Sequence, residues 1–306
     1  MTPATCPGCG IPGESADWRA WSFPHTRFGR ARFAYRRCLV CQLRFLDPPP
    51  KEDELDRFYP AGHYWWDSPA SGGLASWIRS FLWRDSLRLL QRLRPPSASL
   101  LDFGCGSGAF LALARDAGYR VVGMERDDSS ARFAREIYGL QVNVGSVREM
   151  RASFDAVTLF HSLEHVPHPR CVLHDLGTVL KPDGVLLVEV PNVESWGARW
   201  FPSSWEGWEI PKHVNHFNRE ALIGAFIRSG FEVRSLRFYS HSAPNMLVNS
   251  IGRVMGIESS PSLVRWSAKG LLRCLAIPVA RLSAARHRGE VIVAVARRSG
   301  EAIHER

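Results

Sequence analysis

The chain has 306 residues, 45% hydrophobic and 23% charged, which excludes a disordered polypeptide and leaves room for more than one domain. A net charge of +9 admits nucleic acid, an acidic membrane or an anionic substrate, but the arginines are scattered and no RNA-binding signature occurs, so a solvated basic surface is the plainer reading. No uncharged apolar run of about 18 residues or apolar leader is present, and seven cysteines, an odd number, fit a reducing cytoplasm.

Two knuckles come first in chain order, Cys6-Pro-Gly-Cys9 and Cys38-Leu-Val-Cys41. Each can offer two thiolates to one metal, so Cys6, Cys9, Cys38 and Cys41 together predict a tetrahedral structural zinc site. The run FAYRRCLVCQLRFLDP reads as strand, turn, strand, the organisation of a zinc ribbon over residues 1–47. A redox CxxC is the rival, but it needs no second copy. Pro48, Pro49 and Pro50 then stop helix and sheet alike and mark the boundary.

Residues 48–98 read as a linker and N-terminal helices: a short helix over 51–59, dense aromatics at Tyr59, Tyr64, Trp65 and Trp66, and an amphipathic helix over 74–94. Next comes LLDFGCGSG, Leu100 to Gly108, a buried strand that ends in an acid and a turn with glycines at 104, 106 and 108. Such glycines allow positive φ and let a ligand touch the backbone. Gly104, Gly106 and Ala109 also satisfy the generic dinucleotide pattern. A second strand from Val121 ends at Glu125, the usual place for an acid that accepts ribose hydroxyls. Three further segments follow: QVNVGSVREM, FDAVTLFHSLEHVPHP and LKPDGVLLVEVPN.

In this order and spacing the motifs resemble the class I S-adenosylmethionine-dependent methyltransferases, over roughly residues 75–240 and the last strand. The resemblance implies that Gly104, Gly106 and Gly108 pass under the methionyl part of the cofactor and that Asp102 helps hold its amino group. It implies Glu125 on the ribose, Ser146 and Val147 beside the adenine, and Phe160 with His161 beside the transferred methyl. The cysteine knuckles with RRCLVCQLRFLDPPP also resemble a group of methyltransferases with an N-terminal zinc-binding domain, sugar C-methyltransferases among them.

On the acceptor side, methyl transfer is an in-line displacement that needs alignment and a base for a hydroxyl or carbon acid. Histidine suits that role. His161 and His165 follow the fourth strand, and His213 and His216 follow the fifth, beyond a segment with Trp196, Trp200, Trp205 and Trp208. His161 and His213 are the expected catalytic residues. Lys212 stands where the sugar C-methyltransferases carry a Glu, which leaves Glu209 as the reserve base. His161-x-x-Glu164-His165 also fits a zinc-peptidase pattern, but in a strand-to-turn context instead of on a helix. It departs from the E-x-x-E-H cation site of quinone O-methyltransferases, since His161 replaces the first Glu.

The C-terminal part reads as a strand over 231–240 and a last strand over 290–298, separated by a helical insertion at about 241–289. Within it, 263–288 is apolar and basic, with an interruption near Pro278; a membrane-surface helix, a pocket cap and a dimer face are equal readings. The expected fold is α/β: a seven-stranded Rossmann-like methyltransferase sheet over 99–306, with the zinc-ribbon-like module in front and the helical insertion before the last strand. The expected activity is methyl transfer to a hydroxyl or carbon of a small molecule, sugar, natural product or quinone-like lipid. RNA or protein methylation and a non-catalytic cofactor-binding module are the alternatives.

Overall fold

The computed structural model describes residues 5–11, 21–22, 34–50, 73–239, 242–257 and 262–300. The expected helix over 51–59 and the aromatics at 59–66 lie outside the described residues.

Strands β1 (Trp21–Ser22), β2 (Ala34–Arg37) and β3 (Arg44–Leu46) form an antiparallel meander at the N-terminus. Helix α1 (Gly73–Leu93) leads into the main sheet. That sheet alternates β4 (Ser99–Phe103), α2 (Ala109–Asp116), β5 (Arg120–Met124), α3 (Asp128–Tyr138), β6 (Val142–Asn143), β7 (Phe154–Phe160), α4 (Pro169–Thr178) and β8 (Leu180–Pro191). A short helix α5 (Trp196–Trp200), strand β9 (Asn215–His216), helix α6 (Arg219–Arg228) and strand β10 (Phe231–Arg237) follow. The insertion is two helices, α7 (Ala243–Val254) and α8 (Ser262–Ala285), before β11 (Val291–Arg298).

The seven-stranded order is β10-β11-β8-β7-β4-β5-β6. β4 to β8 run parallel, and β11 inserts antiparallel between β8 and β10. Alternate residues of each strand face opposite sides, so neighbours enter different cores. Leu101, Val157, Leu186, Val188 and Ile292 pack on one face, while Leu100, Ala156, Leu187 and Val293 join Phe110 and Leu111 of α2 on the other. Helix starts follow their sequence signals: Asp127 caps α3 through Ser130 N at 2.7 Å, and Asn218 caps α6 through Ala221 N at 2.9 Å.

Two features differ from the sequence expectation. Helix α8 runs through Pro278 without interruption. Pro278 and Cys274, whose carbonyl a residue with an N–H at 278 would bond, both face solvent, where water can serve that oxygen. The N-terminal sheet also does not end with its own strands. β9, from far along the chain, pairs antiparallel with β3 and makes the order β1-β2-β3-β9. The cysteines share the first core with Leu43, Phe45 and Phe217, and Arg170 at the start of α4 donates to Cys9 O at 3.2 Å.

Candidate active site

The cofactor side lies at the carboxyl edge of β4 and β5, where an open α/β sheet binds ligands. Gly104 N and Cys105 N both donate to Met124 O, at 2.8 and 3.1 Å, which ties the glycine turn to β5. Gly104, Gly106 and Gly108 adopt φ of 72, 54 and 81°, the left-handed region that favours glycine. A Cβ on Gly104 would stand 2.4 Å from Ser162 Oγ, and one on Gly108 would stand 2.6 Å from Leu140 Cδ1. The turn therefore presents bare backbone on the ligand side and is packed tight behind.

Two acids flank it, Asp102 buried and Glu125 half-buried. Asp102 accepts from Thr158 Oγ1 at 2.6 Å, and burial pushes its carboxyl up to about 7 against the pull of that bond; the charge of Glu125 adds to the rise. Glu125 accepts from Gly106 N at 2.8 Å and Asp127 N at 3.0 Å, one bond to each oxygen. Burial raises its carboxyl above the ordinary range, and those backbone donors oppose the rise. Ser146 caps a single turn that buries Val147, at the rim of a cavity of about 340 Å³ lined by Val122, Met124, Asn143 and Phe154. Phe160 turns into the core, 4.7 Å from Phe110 and 5.4 Å from Trp83 between ring centres. Bare backbone between two acids fits a ligand that carries a cation at one end and hydroxyls at the other.

On the acceptor side, the turn after β7 and the loop that enters β9 are laced together. Val214 N donates to Glu164 O at 2.9 Å, His165 Nδ1 to Lys212 O at 3.0 Å, and Asn215 Nδ2 to Val166 O at 2.6 Å. This lacing gathers His161, Glu164, His165, Glu209 and His213 in one place. His161, at φ 51°, places Nδ1 3.3 Å from Glu164 and Nε2 3.0 Å from Glu189, both carboxylates 1% exposed. Burial disfavours charge on His161, but the two carboxylates outweigh it and raise the imidazole to about 10. Its ring is thus a fixed cation at neutral pH.

His165 is the opposite case: burial, then the neighbouring His213, lower it to about 4, so it is neutral. His213 Nδ1 lies 2.8 Å from Gly207 O. A carbonyl can only accept, so Nδ1 carries the proton and neutral His213 keeps its lone pair on Nε2. That Nε2 lies 3.6 Å from Glu209 and 4.0 Å from Glu164. Glu209 also pairs with Lys212 at 3.3 Å. His216 is not part of this group; it is buried edge-on against Tyr35 and Trp208, at 4.7 and 4.8 Å.

Among the described residues, two clusters could offer ligands to a metal. Glu164, His165 and His213 place theirs within 4.8 Å of one another, but Glu164 also bonds the His161 ring. Cys6, Cys9, Cys38 and Cys41 do so with no such competitor, all four buried. Sulfurs of Cys6 and Cys41 are 3.5 Å apart and those of Cys9 and Cys38 3.6 Å, far beyond a disulfide and near the edge of about 3.8 Å that a zinc–thiolate tetrahedron requires. Each knuckle closes alike: Gly10 N bonds Cys6 O and Gln42 N bonds Cys38 O, both at 2.8 Å, with φ of 78 and 66°.

The model of the methyltransferase domain family matches residues 74–236, just over half the chain. A ubiquinone biosynthesis O-methyltransferase of Xanthomonas axonopodis pv. citri (strain 306) is 32% identical over 195 residues, which cover 58% of this chain and 79% of the relative. The chain is a class I S-adenosylmethionine-dependent methyltransferase. The methyltransferase is also 30% identical to a ubiquinone biosynthesis O-methyltransferase of Xanthomonas campestris pv. campestris (strain B100), covering 46% of this chain and 62% of that one. In fold, it resembles the crystal structure of the [4+2]-cyclase SpnF, with TM-score 0.53, 18% identity, and coverage of 82% and 98%.

Sequence reasoning missed three residues of this methyltransferase. Glu189 near the end of β8 and Ser242 before α7 join His161, with Ser242 Oγ donating to Glu189 at 2.9 Å. The acid in the apolar run VLLVEVP was the available signal for Glu189. Tyr35, whose hydroxyl donates to His213 O at 3.0 Å, carried none.

Proposed function

We propose that this enzyme methylates a hydroxyl of a small ring-bearing acceptor, with His213 Nε2 as the base. The observation that carries the assignment is the bond from His213 Nδ1 to Gly207 O, which leaves Nε2 as the basic nitrogen. The O-methyltransferase relatives support a hydroxyl acceptor. His161, fixed as a cation by Glu164 and Glu189, balances the buried charge and is not the base.

The cofactor, when bound, supplies an electrophilic methyl group. Asp102 would hold its ammonium group, Glu125 its ribose, the backbone of Gly104, Gly106 and Gly108 its methionyl chain, and Ser146 and Val147 its adenine. Phe160 supports the turn from behind. His213 takes the hydroxyl proton, and Glu164 and Glu209 stabilise the imidazolium that results. In-line alignment does the rest.

Cys6, Cys9, Cys38 and Cys41 would hold one structural zinc within a module over 1–47, joined by 48–98 to the catalytic domain. The insertion would lie on an anionic lipid surface through 263–288. Leu271, Leu275 and Leu282 stand 67, 62 and 50% exposed along one stripe of α8, with Arg281 on its margin and Arg286 beyond its end. No helix among the described residues is long and apolar enough to cross a membrane.

The test is methyl transfer from labelled cofactor to a panel of small ring compounds that carry hydroxyl or amino groups, catechols among them. Product O-methylation that falls 10²–10⁴-fold, in order of magnitude, in His213→Ala supports the reading. Full turnover in that variant, or methylation only at carbon or nitrogen, refutes it.

A further inference from the structure

The cysteine module and the acceptor side share one sheet. β3 pairs with β9 at Arg44↔His216 and Phe45↔Asn215, and Leu46 N extends the contact to Val214 O at 2.9 Å. Tyr35 on β2 is fully buried; its hydroxyl donates to the His213 carbonyl, and its ring stands 5.8 Å from Trp208. Tyr35, Leu46, Ile210 and Val214 form a small core of their own. The backbone around His213 is thus clamped twice, from Glu164 and His165 on one side and from β2 and β3 on the other. Only the second clamp hangs on the cysteines. Cys38 directly follows β2, its N–H closes on Leu43 O at 2.9 Å just before β3, and Cys6 and Cys9 close against Cys41 and Cys38.

We propose that the four-cysteine centre positions the acceptor side: through Tyr35 and the β3–β9 ladder it fixes the main chain that aims His213. The proposal rests on the reading that His213 serves the acceptor. Tyr35 is a positioning residue, since it touches the His213 backbone and no reacting atom. The cofactor cradle sits on β4, β5 and β6, which take no part in this ladder. A fault in the clamp therefore impairs acceptor chemistry and spares cofactor binding.

Tyr35→Phe in the full-length, metal-loaded chain keeps the ring contacts and deletes the hydroxyl. Cofactor affinity by calorimetry should stay within about twofold, while catechol turnover falls roughly three- to tenfold, the scale of one lost buried hydrogen bond. On a His213→Ala background the same substitution should cost almost nothing, because the residue it aims is gone. Amide exchange in 209–217 should quicken while β4 and β7 stay protected. Unchanged exchange in 209–217, or an equal activity loss on both backgrounds, overturns the proposal. If His213→Ala keeps full turnover, the acceptor reading fails by itself, and the exchange result still decides whether the clamp exists. Should Tyr35→Phe not fold, the wild-type chain is compared before and after zinc chelation. Quickened exchange confined to 34–46 and 209–217 supports the clamp, and a uniform change or none refutes it.

Discussion

Asp102 makes cofactor affinity depend on pH in a calculable way. Burial holds its carboxyl at about 7 in the free enzyme, so half the molecules carry a neutral acid at neutral pH. A cationic amino group binds the ionised form, and below pH 7 binding must expel a proton. Between pH 5.5 and pH 7.5 the ionised fraction climbs from about 3% to about 75%, so affinity should rise about 25-fold and then level off. The sign is fixed by the direction of the shift: an acid raised in the free state binds a cation better as pH rises. Calorimetry in two buffers of different ionisation enthalpy reads both the affinity and the proton released. Asp102→Asn, which cannot ionise, should bind weakly with a flat profile across that range. The raised carboxyl also opposes folding, by an amount that grows as pH rises from the ordinary value of 3.8 and is complete above about 7, so Asp102→Asn should melt higher than wild type above pH 7, a gain in stability at the expense of function. A wild-type affinity that does not change from pH 5.5 to pH 7.5, or a slope that survives in Asp102→Asn, refutes the assignment of Asp102 to the ammonium.

Other outcomes follow from the same contacts. Gly104→Ala combines a left-handed φ with a Cβ 2.4 Å from Ser162 Oγ; it should cost about 1–2 kcal/mol from the backbone alone, read by urea unfolding, and weaken cofactor binding further. Glu290 is wholly buried and accepts from Ser195 Oγ, Gly197 N and Trp205 Nε1 at 3.0, 2.8 and 2.8 Å; Glu290→Ala should destabilise by about 3 kcal/mol or more, because it strands those donors. Metal analysis should find one zinc per chain, and Cys41→Ser should lose it; metal retained in that variant would remove Cys41 from the site. Leu271→Glu with Leu275→Glu should abolish sedimentation with vesicles that contain phosphatidylglycerol and leave catechol turnover intact, whereas unaltered sedimentation would place the lipid contact elsewhere.

The parts of the site that were legible in the sequence are those written in contiguous residues. The glycine turn, the acid before it and the acid at the end of the next strand are local geometry, and a motif spells local geometry out. The knuckle spacing speaks in the same way for the cysteines. The clamp on His161 was hidden because Glu189 and Ser242 reach it from elements 28 and 81 positions away, and only the folded sheet brings them together. The pairing of β3 with β9 escaped for a second reason: β9 is two residues long, too short for a periodic pattern to register. At Pro278 a reliable local rule yields to exposure, since a helix can pass a proline where water takes the freed carbonyl.

The order in which the chain leaves the ribosome gives the β3–β9 ladder another meaning. All four cysteines lie far ahead of β9 in the chain, so the knuckles, and the zinc proposed for them, can assemble before it arrives. The outer edge of β3 then waits, open to any passing strand, until residues 215 and 216 arrive to cover it. A fragment cut after the proline run would keep that edge bare for good. A fragment begun after it would leave β9 without the strand it pairs with. The boundary that the prolines draw in the sequence is therefore a poor place to cut the molecule, and swapping the N-terminal module between relatives would require the matching loop at 208–217 to travel with it.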